Sequence, residues 1–281
     1  MVPPVQNWTS KSYAPIRFCI YCGSTDNLTD EHIIPNGLLP KGGDWYLPKA
    51  SCPNCCSITK KFEGSVQQSM LGPLRYKLDL KTRNRGIKKK KTNNFVTLFN
   101  YPDGRLEPKE ISGDDFPSVC IGFKWRMPEF LRGLQASNIF EGSDFIKYNE
   151  SEMSKYAKSD QAIKIGRVYP GDFARMLAKI AHTYAIAEHG MDSFEPMLTE
   201  IILGKDDRLP FLIGGDETLP TLESEPYLHN IYRQDCAIGG VHHMLVAIRL
   251  FAFIGMPRYL VVVGKKTDQQ PPDGAQIIGT A

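Results

Sequence analysis

Two pairs of cysteines, each with a two-residue spacer, constrain the fold of this chain more than any other feature. Cys19 and Cys22 form the first pair, and Cys52 and Cys55 form the second. A CxxC turn presents both sulfur atoms to one ion, and two such turns complete the tetrahedral four-thiolate site of structural zinc. A bound metal also holds together a short segment that has little core of its own. The spacing therefore predicts a small zinc-stabilised module.

The composition indicates a globular protein with room for more than this module. The chain has 281 residues, of which 42% are hydrophobic, and its net charge is +3. This charge is too small to indicate a polyanion-binding protein, so any attraction to nucleic acid has to come from local clusters. The longest apolar stretch is broken by Arg249 and ends at Pro257, short of the roughly 18 residues that a membrane span needs. We expect no membrane partner.

The cysteine count and the first residues favour a cytoplasmic protein. Seven cysteines would leave one unpaired if they formed disulfides. The chain begins with Met1 and Val2 followed by two prolines, which is unlike the basic start and apolar stretch of a secretory signal. Cys120 and Cys236, outside the two pairs, are expected to be small buried side chains.

Changes in composition divide the chain into three parts. Residues 1–80 hold the cysteine pairs and only short apolar runs. Residues 81–115 begin with basic residues and continue into a β-hairpin, which the turn residues at 102–104 predict. Residues 116–281 form a larger domain of unassigned role. The predicted fold class is α+β, with a small zinc-stabilised module and a larger α+β domain whose sheet is mainly antiparallel.

Apolar periodicity predicts the elements of the larger domain. The clearest is a helix over 172–189, closed by Gly190. Its apolar stripe is expected to face the core, and the opposite, hydrated side is expected to carry Arg175, Lys179, His182 and His189. We also predict a helix over 194–203 and strands over 117–125, 210–213, 227–233 and 258–263. Residues 241–254 fit a strand or a helix, and the turn residues at 255–257 favour the strand.

The segment between the cysteine pairs resembles the HNH, or ββα-metal, endonuclease family. Glu31 and His32 precede two isoleucines and Pro35, and HNH proteins carry an acid and a histidine before a hydrophobic pair and a proline. In a zinc-containing bacterial subgroup, two CxxC pairs bracket this motif and the second pair leads into a helix. The resemblance covers about residues 18–78. It implies a ββα-metal nuclease module with structural Zn²⁺ and a catalytic Mg²⁺ or Mn²⁺.

The chemistry of the motif agrees with this implication. Hydrolysis of a phosphodiester needs a base that deprotonates water and a hard cation that neutralises the developing charge. Neutral His32 suits the first task, and the Glu31 carboxylate suits the second as a metal ligand. Neighbouring residues of a strand point to opposite sides, so both can serve one site only where the strand ends or bends. Pro35 is consistent with such an end.

Two positions depart from the family pattern. Cys56 stands directly after the second CxxC, where the family has an Asn or His that ligates the catalytic metal, and Leu47 stands where the family has a middle Asn. A thiol is a poor ligand for Mg²⁺ but is acceptable to softer ions. Glu63 follows Cys56 by two helical turns and could supply an oxygen ligand from the same helix face. Alternatively, Cys56 replaces Cys55 on the zinc.

A basic segment follows the module and predicts nucleic-acid binding. Basic side chains neutralise phosphates and release counterions without reading the sequence. The alternative is a solvated loop. The predicted nucleic-acid-binding residues are Arg75, Lys77, Lys81, Arg83, Arg85, Lys88, Lys89, Lys90 and Lys91.

The sequence thus favours a metal-dependent endonuclease that hydrolyses DNA, with His32 as general base and Glu31 as a catalytic-metal ligand. RNA stays open as a substrate, and a homodimer for duplex cleavage is a hypothesis. One alternative is a nucleic-acid-binding protein in which Cys56 and Leu47 have removed cleavage. Another is a partner- or ligand-sensing protein in which the zinc is structural support. No acid or cysteine spacing supports a second metal site at the remaining histidines.

Overall fold

The computed structural model describes residues 10–81, 94–101, 103–112, 120–141, 144–148, 169–217 and 224–267. Residues 10–81 form a unit that we call the strand–strand–helix unit after β2, β3 and α1, its main elements. Strand β1 pairs in parallel with β3, and β2 pairs with β3 in the antiparallel direction. The elements of this part are β1 (Lys11–Ser12), β2 (Thr29–His32), β3 (Trp45–Ser51), α1 (Pro53–Ser69) and α2 (Gly72–Lys77).

Helix α1 begins between the two cysteines of the second pair. Cys52 is its N-cap residue and Pro53 occupies the first turn, where a missing N–H removes no hydrogen bond from the helix. The buried face follows helical spacing, with Cys55, Thr59, Phe62 and Val66. One end of the helix therefore holds the cysteines while its length packs into the core.

Two antiparallel strand pairs follow in the chain, of which the first is a hairpin. The first joins β4 to β5 and confirms the hairpin predicted from residues 102–104. Gly104 has a φ of +80°, and the Tyr101 N–H donates to the Arg105 carbonyl over 2.9 Å. Their strands are β4 (Asn94–Asn100), β5 (Leu106–Ser112), β6 (Cys120–Lys124) and β7 (Asp144–Tyr148).

The largest sheet has five antiparallel strands. Its order is β10-β11-β12-β8, and β9 pairs with another part of β12. The strands are β8 (Phe194–Pro196), β9 (Ile213–Gly215), β10 (His229–Ile238), β11 (Val241–Leu250) and β12 (Tyr259–Lys266). Three helices accompany them, α3 (Pro170–His189), α4 (Thr199–Ile202) and α5 (Leu209–Leu212). Short 3₁₀ turns lie at Asn36–Leu38, Glu129–Arg132, Met191–Ser193 and Ala252–Ile254.

Helix α3 has a different environment from the predicted one. It contacts β11 and β12 of the sheet, and it also contacts α1 of the first unit. Lys179 and His182, predicted to face water, both have 0% of their surface exposed. The expectation of a hydrated side was wrong because a second layer covers the face opposite the sheet.

Other predicted elements are partly corrected. Residues 194–203 are not one helix, because Phe194–Pro196 forms β8 on the edge of β12 and only Thr199–Ile202 is helical. Residues 210–213 lie mostly in α5 and not in a strand. The predicted helix closed by Gly190 is confirmed. The strand predicted over 241–254 is confirmed as far as Leu250, and Ala252–Ile254 is a 3₁₀ turn instead.

The fold class is α+β with a mainly antiparallel sheet, as predicted. Buried residues of the strand–strand–helix unit and of the main sheet form a single hydrophobic cluster through α3. The division of the chain at residues 80 and 115 stays a prediction. Among the described residues, no helix combines the length and the apolar character needed to cross a membrane.

Candidate functional site

The four paired cysteines converge on one point. The sulfur atoms of Cys19, Cys22, Cys52 and Cys55 all lie within 4.8 Å of one another, and the Cys22 and Cys52 Sγ atoms are 3.7 Å apart. Four sulfurs at about 2.3 Å from a tetrahedral zinc ion lie about 3.8 Å apart, so this set fits zinc. Cys55 belongs to the cluster and Cys56 does not.

The local backbone explains how the first pair reaches this point. The Gly23 N–H donates to the Cys19 carbonyl over 2.8 Å, and the Cys19 N–H donates to the Ser24 carbonyl over 2.7 Å. Gly23 has a φ of +77°, a conformation in which a side chain would be strained. This tight turn folds Cys22 back beside Cys19.

An open cleft of about 1120 Å³ lies between the end of β2 and helix α1. Glu31, His32, Cys56 and Glu63 all line it, so the structure brings together every residue that the sequence predicted for catalysis or for the catalytic metal. The other lining residues are Thr29, Asp30, Asn36, Gly37, Asp44, Thr59, Lys60, Gly64, Gln67, Gln68, Arg75 and Lys81.

The end of strand β2 explains how two neighbouring residues share one cleft. The pairing of β2 with β3 shifts register between Thr29 and Glu31, and the strand ends at His32. Glu31 lies opposite Leu47, and His32 lies opposite Tyr46. The irregular pairing and the strand end relax the alternation of side chains that regular strands impose.

The carboxylates of Glu31 and Glu63 converge on the side chain of Lys179. Lys179 Nζ lies 2.8 Å from Glu31 Oε1 and 3.0 Å from Glu63 Oε1. The same ammonium group donates to the main-chain carbonyl of His32. Helix α3 thus contributes a buried cation behind the two carboxylates, although Lys179 does not itself line the cleft. Sequence reasoning missed this residue.

His32 is half-buried and uncharged near neutral pH. Burial and repulsion from Lys179, which the attraction to Glu31 offsets only in part, lower the pKa of His32 from 6.5 to about 4. An uncharged imidazole has a nitrogen lone pair that can accept a proton.

The two departures from the family pattern have different surroundings. Cys56 is half-buried in the first turn of α1 and faces the cleft, two turns before Glu63 on the same side of the helix. Leu47 is 1% exposed and belongs to the hydrophobic core, so it brings no polar group to the cleft.

Two basic residues of the cleft hold the backbone around it. Arg75 donates from its three guanidinium nitrogens to the carbonyls of Gly37, Gln67 and Lys81, over 2.6, 2.9 and 3.1 Å. Lys81 Nζ lies 2.7 Å from Asp44 Oδ1 and also donates to Asn36 Oδ1 over 3.1 Å. Contact of either residue with a phosphate stays a prediction.

Of the other predicted nucleic-acid-binding residues, Lys77 is described and does not line the cleft. Lys77 is exposed on α2. Lys60, which the sequence prediction left out, is exposed in α1 and lines the cleft. Outside the described residues are Arg83, Arg85, Lys88, Lys89, Lys90 and Lys91.

The donor set of the cleft fits a hard cation. Glu31 and Glu63 supply carboxylate oxygens, which are the ligands that Mg²⁺ and Mn²⁺ prefer, and Cys56 adds a softer sulfur. In the structure, one oxygen of each carboxylate lies against the Lys179 ammonium.

Comparisons of the chain with known protein families, with curated proteins and with solved structures found no match.

Proposed function

We propose that the chain is a zinc-stabilised phosphodiester hydrolase of the HNH type that acts on DNA. The observation that carries the proposal is the meeting of Glu31, His32, Cys56 and Glu63 in one cleft. The order of β2, β3 and α1 beside a four-cysteine cluster agrees with the ββα-metal module that the resemblance implies. These residues supply a base and cation ligands within one concave site, as hydrolysis of a phosphodiester requires.

His32 is the proposed general base. Its neutral imidazole accepts a proton from the water molecule that attacks the phosphorus atom. The negative charge of a bound phosphodiester stabilises the imidazolium that forms, and thus raises the low pKa of His32 towards the working range.

Glu31 and Glu63 are the proposed cation ligands, with Cys56 as a softer third donor. A Mg²⁺ or Mn²⁺ ion bound there would neutralise charge on the phosphate and on the leaving oxygen. The thiol favours Mn²⁺ over Mg²⁺. Lys60, which is exposed and lines the cleft, is the proposed contact to a phosphate of the substrate.

Nicking of supercoiled plasmid by the zinc-loaded full chain tests the proposal. With Mn²⁺ present, we expect His32→Ala to lower the nicking rate by about 100-fold or more, the usual contribution of a general base. His242→Ala is the matched control, because His242 lies on β11 and does not line the cleft. Equal rates for wild type and His32→Ala would contradict the assignment of the base.

A second candidate is a zinc-dependent DNA-binding protein that does not cleave. The observations that favour it are the Lys179 ammonium between the two carboxylates and the burial of Leu47 at the family's middle Asn position. In that case the wild type leaves plasmid intact with either cation, yet retards duplex DNA in a gel. Its affinity would fall steeply with salt, since binding would come from phosphate contacts.

A further inference from the structure

Lys179 is the most deeply buried charged residue in the part of the chain that the structure describes. It lies in the middle of α3 with 0% of its surface exposed. Its ammonium has three hydrogens, and three acceptors surround it, namely Glu31 Oε1, Glu63 Oε1 and the His32 carbonyl. All of its hydrogen-bonding capacity is therefore directed at the candidate site.

The ammonium keeps its charge in this position. The Glu31 and Glu63 carboxylates, 2.8 and 3.0 Å from Nζ, compensate the positive charge that burial would otherwise disfavour. A protonated lysine between two ionised carboxylates gives the three groups a net charge of −1. A buried amine without such partners would lose its proton instead.

We propose that Lys179 sets the affinity of the site for divalent cations. Its ammonium occupies the point on which Glu31 and Glu63 converge, takes one oxygen from each carboxylate and repels a second cation. A divalent ion is therefore held weakly, through the remaining donors of the cleft. This inference rests on the proposed function only in naming Mg²⁺ or Mn²⁺ as the ion, and it makes Lys179 a positioning residue.

Binding of Mn²⁺ to the zinc-loaded full chain, followed by electron paramagnetic resonance without nucleic acid, tests the proposal. Lys179→Met removes the charge and keeps the apolar stem, so we expect it to bind Mn²⁺ about tenfold or more tighter than wild type. Lys179→Arg keeps the charge and should retain the weak affinity. Glu63→Gln added to Lys179→Met should remove the gain.

Lys266→Met is the matched control. Lys266 is also a buried lysine, but its ion pair is with Asp235 on β10, over 2.9 Å, and not with the carboxylates of the cleft. Its removal should leave the Mn²⁺ affinity of the site at the wild-type value.

Equal or weaker Mn²⁺ binding by Lys179→Met would overturn the proposal, because Lys179 would then only orient the acids. If this variant unfolds, its thermal unfolding with and without Mn²⁺ replaces the titration. A tighter site raises the melting temperature more at the same Mn²⁺ concentration. A rise no larger than that of the wild type, or a chain that stays unfolded with Mn²⁺, would also overturn it. Loss of the proposed function would appear separately, as a wild type that does not nick DNA.

Discussion

The side chain of His229, on strand β10, connects the main sheet to the 3₁₀ turn at Asn36–Leu38 beside the cleft. Its ring accepts a hydrogen bond at Nδ1 from the Phe251 N–H over 3.2 Å, and Nε2 lies 2.9 Å from the Leu38 carbonyl. Because the Phe251 N–H requires a lone pair on Nδ1, Nε2 carries the proton and donates to Leu38. A second proton on the ring would face the Phe251 N–H directly.

This arrangement predicts a loss of stability in weak acid. Burial lowers the pKa of His229 from 6.5 to about 4, so between these values the unfolded chain binds a proton that the folded chain does not. The contribution is fully present above pH 6.5 and is lost as the pH falls towards 4. From pH 7.5 to 5.0 the loss from this residue is about 2 kcal/mol.

Urea unfolding of wild type and His229→Gln at these two pH values measures the effect. We expect the decrease in unfolding free energy between pH 7.5 and 5.0 to be smaller in the variant by about 2 kcal/mol. His182 is also buried with a pKa lowered to about 4, so the variant keeps part of the wild-type decrease. The same decrease in both proteins would contradict the assignment.

At the scale of elements, Arg75 ties three backbone segments together. Its carbonyl partners lie in the 3₁₀ turn at Asn36–Leu38, in helix α1 and just after helix α2. The fit is close at Gly37, where an added Cβ would lie 2.6 Å from Arg75 Nη2. The side chain therefore fixes one side of the cleft.

We expect Arg75→Met to lower the free energy of unfolding by about 2–4 kcal/mol, since it leaves three carbonyls without their charged donor. Lys77→Met is the control on the same helix, where an exposed side chain should change stability by about 0.5 kcal/mol or less. Urea unfolding measures both. A fully stable Arg75→Met protein with weakened DNA binding would instead support the phosphate contact predicted from the sequence.

Elements were predictable where local chemistry decides them. The CxxC turns, the Asp103-Gly104 hairpin turn and the helix closed by Gly190 all have short-range causes, and the structure contains them. The strand Phe194–Pro196 has no such short-range cause, because it forms by pairing with β12, about 70 residues later in the sequence. Helical propensity could not indicate that partner.

The residues of the candidate site were likewise predictable only where their cause is local in sequence. Glu31, His32, Cys56 and Glu63 belong to one short motif, so their spacing indicated a common site. Lys179 escaped prediction because a polar residue opposite an apolar stripe normally faces water. Only the layer formed by α1 over α3 shows that this face is buried.

At the scale of the whole molecule, the four-cysteine cluster and the main sheet share one hydrophobic core. Loss of zinc should therefore destabilise more than the first unit. Structural zinc can contribute on the order of 10 kcal/mol to the folding of small domains. We expect Cys55→Ser to lose its zinc and to lower the melting temperature of the entire chain in one cooperative transition.

Cys56→Ser is the matched control, because Cys56 is the next residue but lies outside the cluster. It should retain one zinc per chain and melt close to the wild-type temperature. Elemental analysis and circular dichroism during heating measure both properties. Two separate transitions in Cys55→Ser, with the upper one unmoved, would show that the two parts fold independently.

Lys179 and the His32 carbonyl that it contacts are 147 residues apart in the sequence, which matters during protein synthesis. A ribosome completes the motif around Glu31 long before it makes α3, so a nascent or prematurely terminated chain carries the acids without their ammonium. Only a chain translated through α3 has the finished arrangement of charges.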